Sequence, residues 1–170
     1  VFAAAVIFSN DYFNPELNDS KKLSERQREK LLPVIERDAL TFAVAWVDNN
    51  EIDKINILNA SFRAMHLAIA KLSIEPQLIL VDGNRFKPFA AIKHECIVKG
   101  DGKFLSIAAA SVLAKTYRDR HMLNLHEQYP EYEWNKNKGY PTLQHRKTTI
   151  ANGFTPFHRK TFSVQLKVWE

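Results

Sequence analysis

Val1 to Phe8 is an unbroken apolar run, which predicts a buried strand. Asn10 to Asn18 is polar and predicts a loop. Ser24 followed by Gln27 is a capping box and opens a helix, with Pro33 expected to bend or end its regular part. Thr41 to Val47 reads as a strand with Phe42, Val44 and Trp46 on one face, and Asp48-Asn49-Asn50 turns the chain. Ile55, Leu58, Phe62, Met65, Ile69 and Leu72 then recur every three or four positions, the apolar stripe of a helix packed on a sheet. Gln77 to Val81 predicts a buried strand running into Asp82-Gly83-Asn84. His94 to Val98 predicts another short strand, running into Lys99-Gly100-Asp101. A long helix follows from about Phe104 to Tyr129, and Ser106 to Ser111 in its first turns carry small side chains that permit close approach to a sheet or ligand. Beyond Pro130 the pattern predicts a loop, one short helix from Thr142 to Ala151, and a loose end. Strands alternating with helices predict an α/β or α+β sheet domain. The 170 residues fit one domain.

Composition narrows the class. The chain is 45% hydrophobic and 25% charged, as in ordinary soluble globular proteins. Five Gly and seven Pro exclude collagen-like and disordered chains. The longest apolar runs, Val1 to Phe8 and Ile107 to Leu113, fall far short of the roughly 20 residues that cross a bilayer. The single cysteine, Cys96, cannot form an internal disulfide, and no basic segment opens the chain, so a reducing, cytoplasmic location is expected. The net charge is +5, unevenly placed. From Trp134 to Trp169 there is no Asp or Glu, against Lys136, Lys138, Arg146, Lys147, Arg159, Lys160 and Lys167. One-sided positive charge points to a polyanion such as nucleic acid. A merely solvated basic tail would look the same.

Candidate chemistry lies at the strand ends. Asp82 and Asp101 each follow a short apolar strand and each has glycine beside it. Carboxylates at the C-terminal ends of buried strands face the crevice where α/β sheets bind ligands. Two on neighbouring strands can hold a hard divalent cation through oxygen. Gly83 and Gly100 would leave room for a phosphate backbone. The plain alternative is that both are turn residues. Asp119, between Arg118 and Arg120, reads as a helix-surface ion-pair partner. The six histidines have no zinc-like spacing and read as structural or surface residues, and Cys96 reads as core. Tyr140 between Gly139 and Pro141 is either a partly buried core residue or a flat ring for a sugar with a hydroxyl for a phosphate.

Several segments taken together resemble ribonuclease HII, the type 2 ribonuclease H family. They are Leu17 to Leu23 (LNDSKKL), Asp53 to Leu58 (DKINIL), Val81 to Asn84 (VDGN), Ile97 to Asp101 (IVKGD) and Ser106 to Lys115 (SIAAASVLAK). Arg118-Asp119-Arg120, Asn137 to Thr142 (NKGYPT) and Phe157 to Phe162 (FHRKTF) follow in family order. The resemblance implies a ribonuclease H-like fold: a mixed central sheet flanked by helices, with a helical C-terminal part. It implies an endonuclease that hydrolyses the RNA strand of RNA–DNA hybrids and cuts at single ribonucleotides embedded in duplex DNA. It further implies Mg²⁺ or Mn²⁺ held by four acids, of which Asp82 and Asp101 match two. Tyr140 matches the family tyrosine that stacks on the sugar beside the ribonucleotide. Lys21 and Lys22 fall at phosphate contacts, with Lys136 and Lys138 expected on the backbone beside Tyr140. A monomer with no membrane partner is expected. The SKKL and KGYPT segments disfavour another ribonuclease H-like nuclease such as a junction resolvase.

Two departures stand out. Asn137 occupies the place where the family often has His before Lys-Gly-Tyr, which bears on a local hydrogen bond. The family's Asp-Glu-x-Gly-Arg-Gly strand, source of the other two acids and of the turn that recognises the ribose 2′-OH, has no counterpart in these 170 residues. Val1 to Phe8 matches the second family strand. The expectation is that the natural protein extends upstream, that this chain binds Mg²⁺ weakly and cuts little, and that the sheet shows an unfilled slot beside Leu80. A catalytically dead nucleic-acid-binding domain is the alternative.

Overall fold

The computed structural model describes residues 1–17 and 23–162. Lys21 and Lys22 therefore lie outside the described residues. Strand β1 (Phe2–Ile7) pairs antiparallel with β2 (Thr41–Trp46), from Phe2 opposite Trp46 to Ile7 opposite Thr41. Strand β3 (Leu78–Asp82) pairs parallel with β4 (Lys93–Ile97), ending with Asp82 opposite Ile97. The α-helices among the described residues are α1 (Glu25–Asp38), α2 (Asn49–Ala70), α3 (Leu105–Gln128), α4 (Trp134–Asn137) and α5 (Leu143–Asn152). Among the described residues no helix is long and apolar enough to cross a membrane.

The β1–β2 ladder is covered on both faces. Ala3 and Val47 pack with Ile52, Ala60 and Ala64 of α2. On the other face Ala4, Val6, Phe42 and Val44 pack on Leu31, Leu32 and Ile35 of α1 and Ala108, Ala109, Val112 and Leu113 of α3. The alternation expected in β2 is present, yet its most buried side is that of Ala43, Ala45 and Val47, while Trp46 is half exposed. The second ladder packs through Ile79 and Val81 on Ile69 of α2, with Ala5 of β1 and Met65 touching the same cluster. Among the described residues the single central sheet thus takes the form of two two-stranded ladders, β1 and β3 each pairing on one side only.

Three local expectations change. Pro33 lies inside α1 without ending it, because Leu31, Leu32 and Ile35 anchor the helix on either side of the ring. The stripe on α2 is broken: Asn56 leaves helical geometry at φ 65°, ψ 165°, and its side chain caps the second segment by accepting from the Asn59 N–H. Leu58, in the first turn after Asn56, is exposed, while Phe62 and Ile69 farther along the same segment are buried. Cys96 is exposed rather than core, because β4 is an edge strand whose residues are all exposed or half-buried. The Ser24 capping box forms as expected, the Gln27 N–H donating to Ser24 Oγ (3.3 Å) and the Ser24 N–H to Gln27 Oε1 (2.9 Å).

Candidate active site

Parallel pairing sets the ends of β3 and β4 side by side. The Gly83 N–H donates to the Ile97 carbonyl (3.0 Å), and Asp82 Oδ1 accepts from the Gly100 N–H (2.9 Å). The Asp82 carboxylate is therefore fastened to the backbone N–H of Gly100, the residue before Asp101. The two acids are neighbours in unlike settings. Asp82 is exposed at the last position of β3, whereas Asp101 is 3% exposed within a short 3₁₀ turn, Gly100–Gly102. They are not equivalent strand-end residues, because β4 stops at Ile97 and Lys99, at φ 56°, winds the chain into that turn. Asp101 lines a cavity of about 150 Å³ with Leu17, Gly102, Lys103, Phe104 and Leu105.

The two glycines also differ. Gly83 has φ 117° and open space where a Cβ would stand, so a ligand backbone can approach. Gly100 is packed against Ile107 and Ile97. Its missing side chain makes room for the core, not for a phosphate.

The donor chemistry fits a hard divalent cation, since two carboxylates offer only oxygen. Among the described residues no group of three His, Cys, Asp or Glu is placed to hold a metal ion. Among the described residues Asp82 and Asp101 are therefore two neighbouring acids with no third ligand grouped beside them.

Tyr140 is 59% exposed, which removes the core-tyrosine reading. Asn137, itself buried, shapes its turn: Nδ2 donates to the Tyr132 carbonyl (2.7 Å), Oδ1 accepts from the Gly139 N–H (2.8 Å), and its carbonyl accepts from the Tyr140 N–H (2.8 Å). Lys138 and Gly139 complete the turn at positive φ. Arg118 Nη1 donates to Tyr140 Oη (3.1 Å), and the guanidinium carbon lies 5.4 Å from the ring centre. Of the two lysines, Lys136 is exposed and paired with Glu133, and Lys138, its side chain only 11% exposed, is paired with Glu25 at 3.1 Å.

A profile of the family described as Ribonuclease HII matches residues 1–165. The chain belongs to the ribonuclease HII family. The ribonuclease HII of Parabacteroides distasonis is 60% identical over 164 residues, 96% of this chain and 82% of that protein. That of Bacteroides thetaiotaomicron is 58% identical with the same coverage. The crystal structure of ribonuclease H2 from Pyrococcus horikoshii OT3 is similar at a TM-score of 0.74 and 26% identity, covering 87% of this chain and 77% of that one. The fold is ribonuclease H-like, and the activity class is that of a ribonuclease H-type endonuclease.

Two ribonuclease HII segments that are far apart in sequence meet in space. Asp53 of DKINIL accepts from the Lys160 N–H (2.7 Å), the Thr161 N–H (3.2 Å) and the Thr161 hydroxyl (2.5 Å) of FHRKTF. The Thr161 hydroxyl above all holds this carboxyl below its ordinary range. Asn49 Nδ2 donates to the Pro156 and His158 carbonyls. Asp119 was expected on the helix surface. It is 3% exposed and paired with Arg28 and Arg118. The pair with the flanking Arg118 matches the expectation; Arg120 pairs with Glu29 instead, and the pair with Arg28 and the burial differ from it. The available signal was spacing, since Asp119 extends the buried face Ala108, Val112 and Thr116 by one step of three.

Proposed function

We propose that this chain hydrolyses the RNA strand of RNA–DNA hybrids and cuts at single ribonucleotides embedded in duplex DNA, with Mg²⁺ or Mn²⁺ held in part by Asp82 and Asp101. The observation that carries the reading is the Asp82–Gly100 hydrogen bond, which ties an exposed carboxylate at the end of β3 to the residue next to the buried Asp101. Mg²⁺ commonly takes one or two protein carboxylates and fills its remaining positions with water and substrate phosphate, which suits such a pair. When bound, the ion polarises the phosphoryl oxygens and makes a bound water nucleophilic.

The chain's own part is placement. Asp82, tied to Gly100, presents a ligand oxygen in a fixed direction, and Asp101 closes the inner side of the site. Tyr140 offers its ring to a sugar and its hydroxyl to a ribose or phosphate oxygen. Lys136 and Lys138, with Lys21 and Lys22, set the duplex backbone, which positions without reading sequence. The enzyme acts as a cytoplasmic monomer.

The test is incubation of a DNA duplex carrying one ribonucleotide with Mg²⁺ or Mn²⁺, using the 170-residue chain and a version extended upstream. Nicking at the ribonucleotide by the extended version, weak cutting by the shorter chain, and loss of cutting in Asp82→Asn are expected. The lack of a third grouped ligand among the described residues is what a second reading, a binding domain without catalysis, would rest on. Binding of the duplex with no cleavage by either version would decide for it.

A further inference from the structure

Tyr140 is exposed, yet its hydroxyl is not left to solvent alone. Arg118 Nη1 donates to it, while Arg118 Nε (2.9 Å) and Nη2 (2.6 Å) both donate to Asp119 Oδ1. The other carboxylate oxygen, Oδ2, accepts from Arg28 Nη2 at 3.0 Å. Arg28 is in turn fixed by donation from Nη1 to the Leu23 carbonyl (2.8 Å). One buried carboxylate therefore holds two guanidiniums, and one of those reaches the tyrosine. Arginine carries five donors and no acceptor, and a phenol has one proton and two acceptor lone pairs. With Arg118 donating into its oxygen, the Tyr140 proton is directed away from Arg118 and towards whatever lies against the ring. A cationic donor on that oxygen also polarises the O–H and strengthens its own donation.

We propose that Asp119 is a positioning residue that acts through Arg118 to fix Tyr140 as a hydrogen-bond donor to a ribose or phosphate oxygen at the ribonucleotide. The inference rests on the functional reading above and goes beyond it, because Asp119 touches no substrate and its own carboxylate is 4% exposed. Without Asp119 the Arg118 side chain is free to turn towards solvent or a phosphate. Tyr140 then keeps its ring but loses the direction of its proton.

Binding measured in EDTA tests this without cleavage. Fluorescence anisotropy gives Kd for a duplex with one ribonucleotide and for the same duplex in all-DNA form. The ratio of the two is the preference. The unaltered chain is expected to prefer the ribonucleotide. Asp119→Asn is expected to lower that preference about tenfold (about 1.4 kcal/mol), with all-DNA affinity changed less than about twofold. Arg118→Lys, which keeps a charge beside Asp119 but cannot bridge to Tyr140, is expected to do the same. It decides the matter alone if Asp119→Asn fails to fold. In a Tyr140→Phe background, adding Asp119→Asn should change the preference less than about twofold, because the hydroxyl it serves is gone. Preference retained in both Asp119→Asn and Arg118→Lys, or losses that multiply in the double variant, would overturn this inference alone. No preference in the unaltered chain would overturn this inference, whereas the functional reading falls only if the version extended upstream fails to nick the duplex.

Discussion

Replacing Gly100 by alanine tests how the turn beside the carboxylates is built. A Cβ at this position would stand 2.6 Å from Ile107 Cδ1, 3.4 Å from Ile107 Cγ2 and 3.5 Å from Ile97 Cβ. Carbon atoms pack best at roughly 3.5–4.0 Å, so the first contact is too short by about 1 Å. Ile107 is buried, and its terminal methyl can move only by disturbing its neighbours. Overpacking of this kind costs roughly 1–3 kcal/mol. Because the offending atom is the end of a side chain, about 1.5 kcal/mol is expected, or roughly 3–6 °C in Tm for a chain of this size. Ile107→Val deletes Cδ1 and alone should cost about 1 kcal/mol. The double variant Gly100→Ala/Ile107→Val should then be about as stable as Ile107→Val. Thermal unfolding followed by circular dichroism gives the three differences. Cleavage of a single-ribonucleotide duplex shows whether the turn has moved, since the Gly100 N–H is the donor that fixes Asp82. An unchanged Tm in Gly100→Ala, or losses that simply add in the double variant, would refute the reasoning.

Two further outcomes follow from the C-terminal part. Asp53→Ala removes the acceptor for Lys160 and Thr161, so trypsin should cut after Arg159 and Lys160 several-fold faster with Tm little changed, and equal cutting rates would contradict the clip. His158 is buried, stacked on His145 at 5.3 Å, and its pKa is lowered from 6.5 to about 4, first by burial and then by His145. Between these values the unfolded chain binds more protons than the folded one, so its contribution to stability is complete above pH 6.5 and lost as pH falls towards 4. Tm should decline across that window and decline less steeply in His158→Gln. Identical slopes would exclude His158 as a source.

Much of the element order was legible because it rests on local signals. The Ser24–Gln27 box, the short strands at Gln77 to Val81 and His94 to Val98, and the long helix after Phe104 all recur within a few residues of the expected bounds. The neighbourhood of Asp82 and Asp101 was legible too, since parallel strands bring their ends together. What escaped depends on tertiary packing. Asn56 looks like any helix residue until its φ is known. Cys96 has Ile97 beside it, but burial requires a covering layer, and the polar Lys93, His94 and Glu95 of β4 were the available sign that it lacks one. Asp119 resembles a surface acid because charged residues flank it. Its depth comes from α1 bringing Arg28 across.

The two ladders share no strand, and they are joined by side chains: Ala5 and Met65 against Ile79 and Val81, with α3 touching β1, β2 and β3. If the described domain melts as one unit, its two ladders are coupled through packed side chains such as Ala5, Met65, Ile79 and Val81. Loosening that seam, by trimming Met65 for instance, should split one sharp denaturant transition into two, with amide exchange in β3 and β4 becoming independent of exchange in β1 and β2.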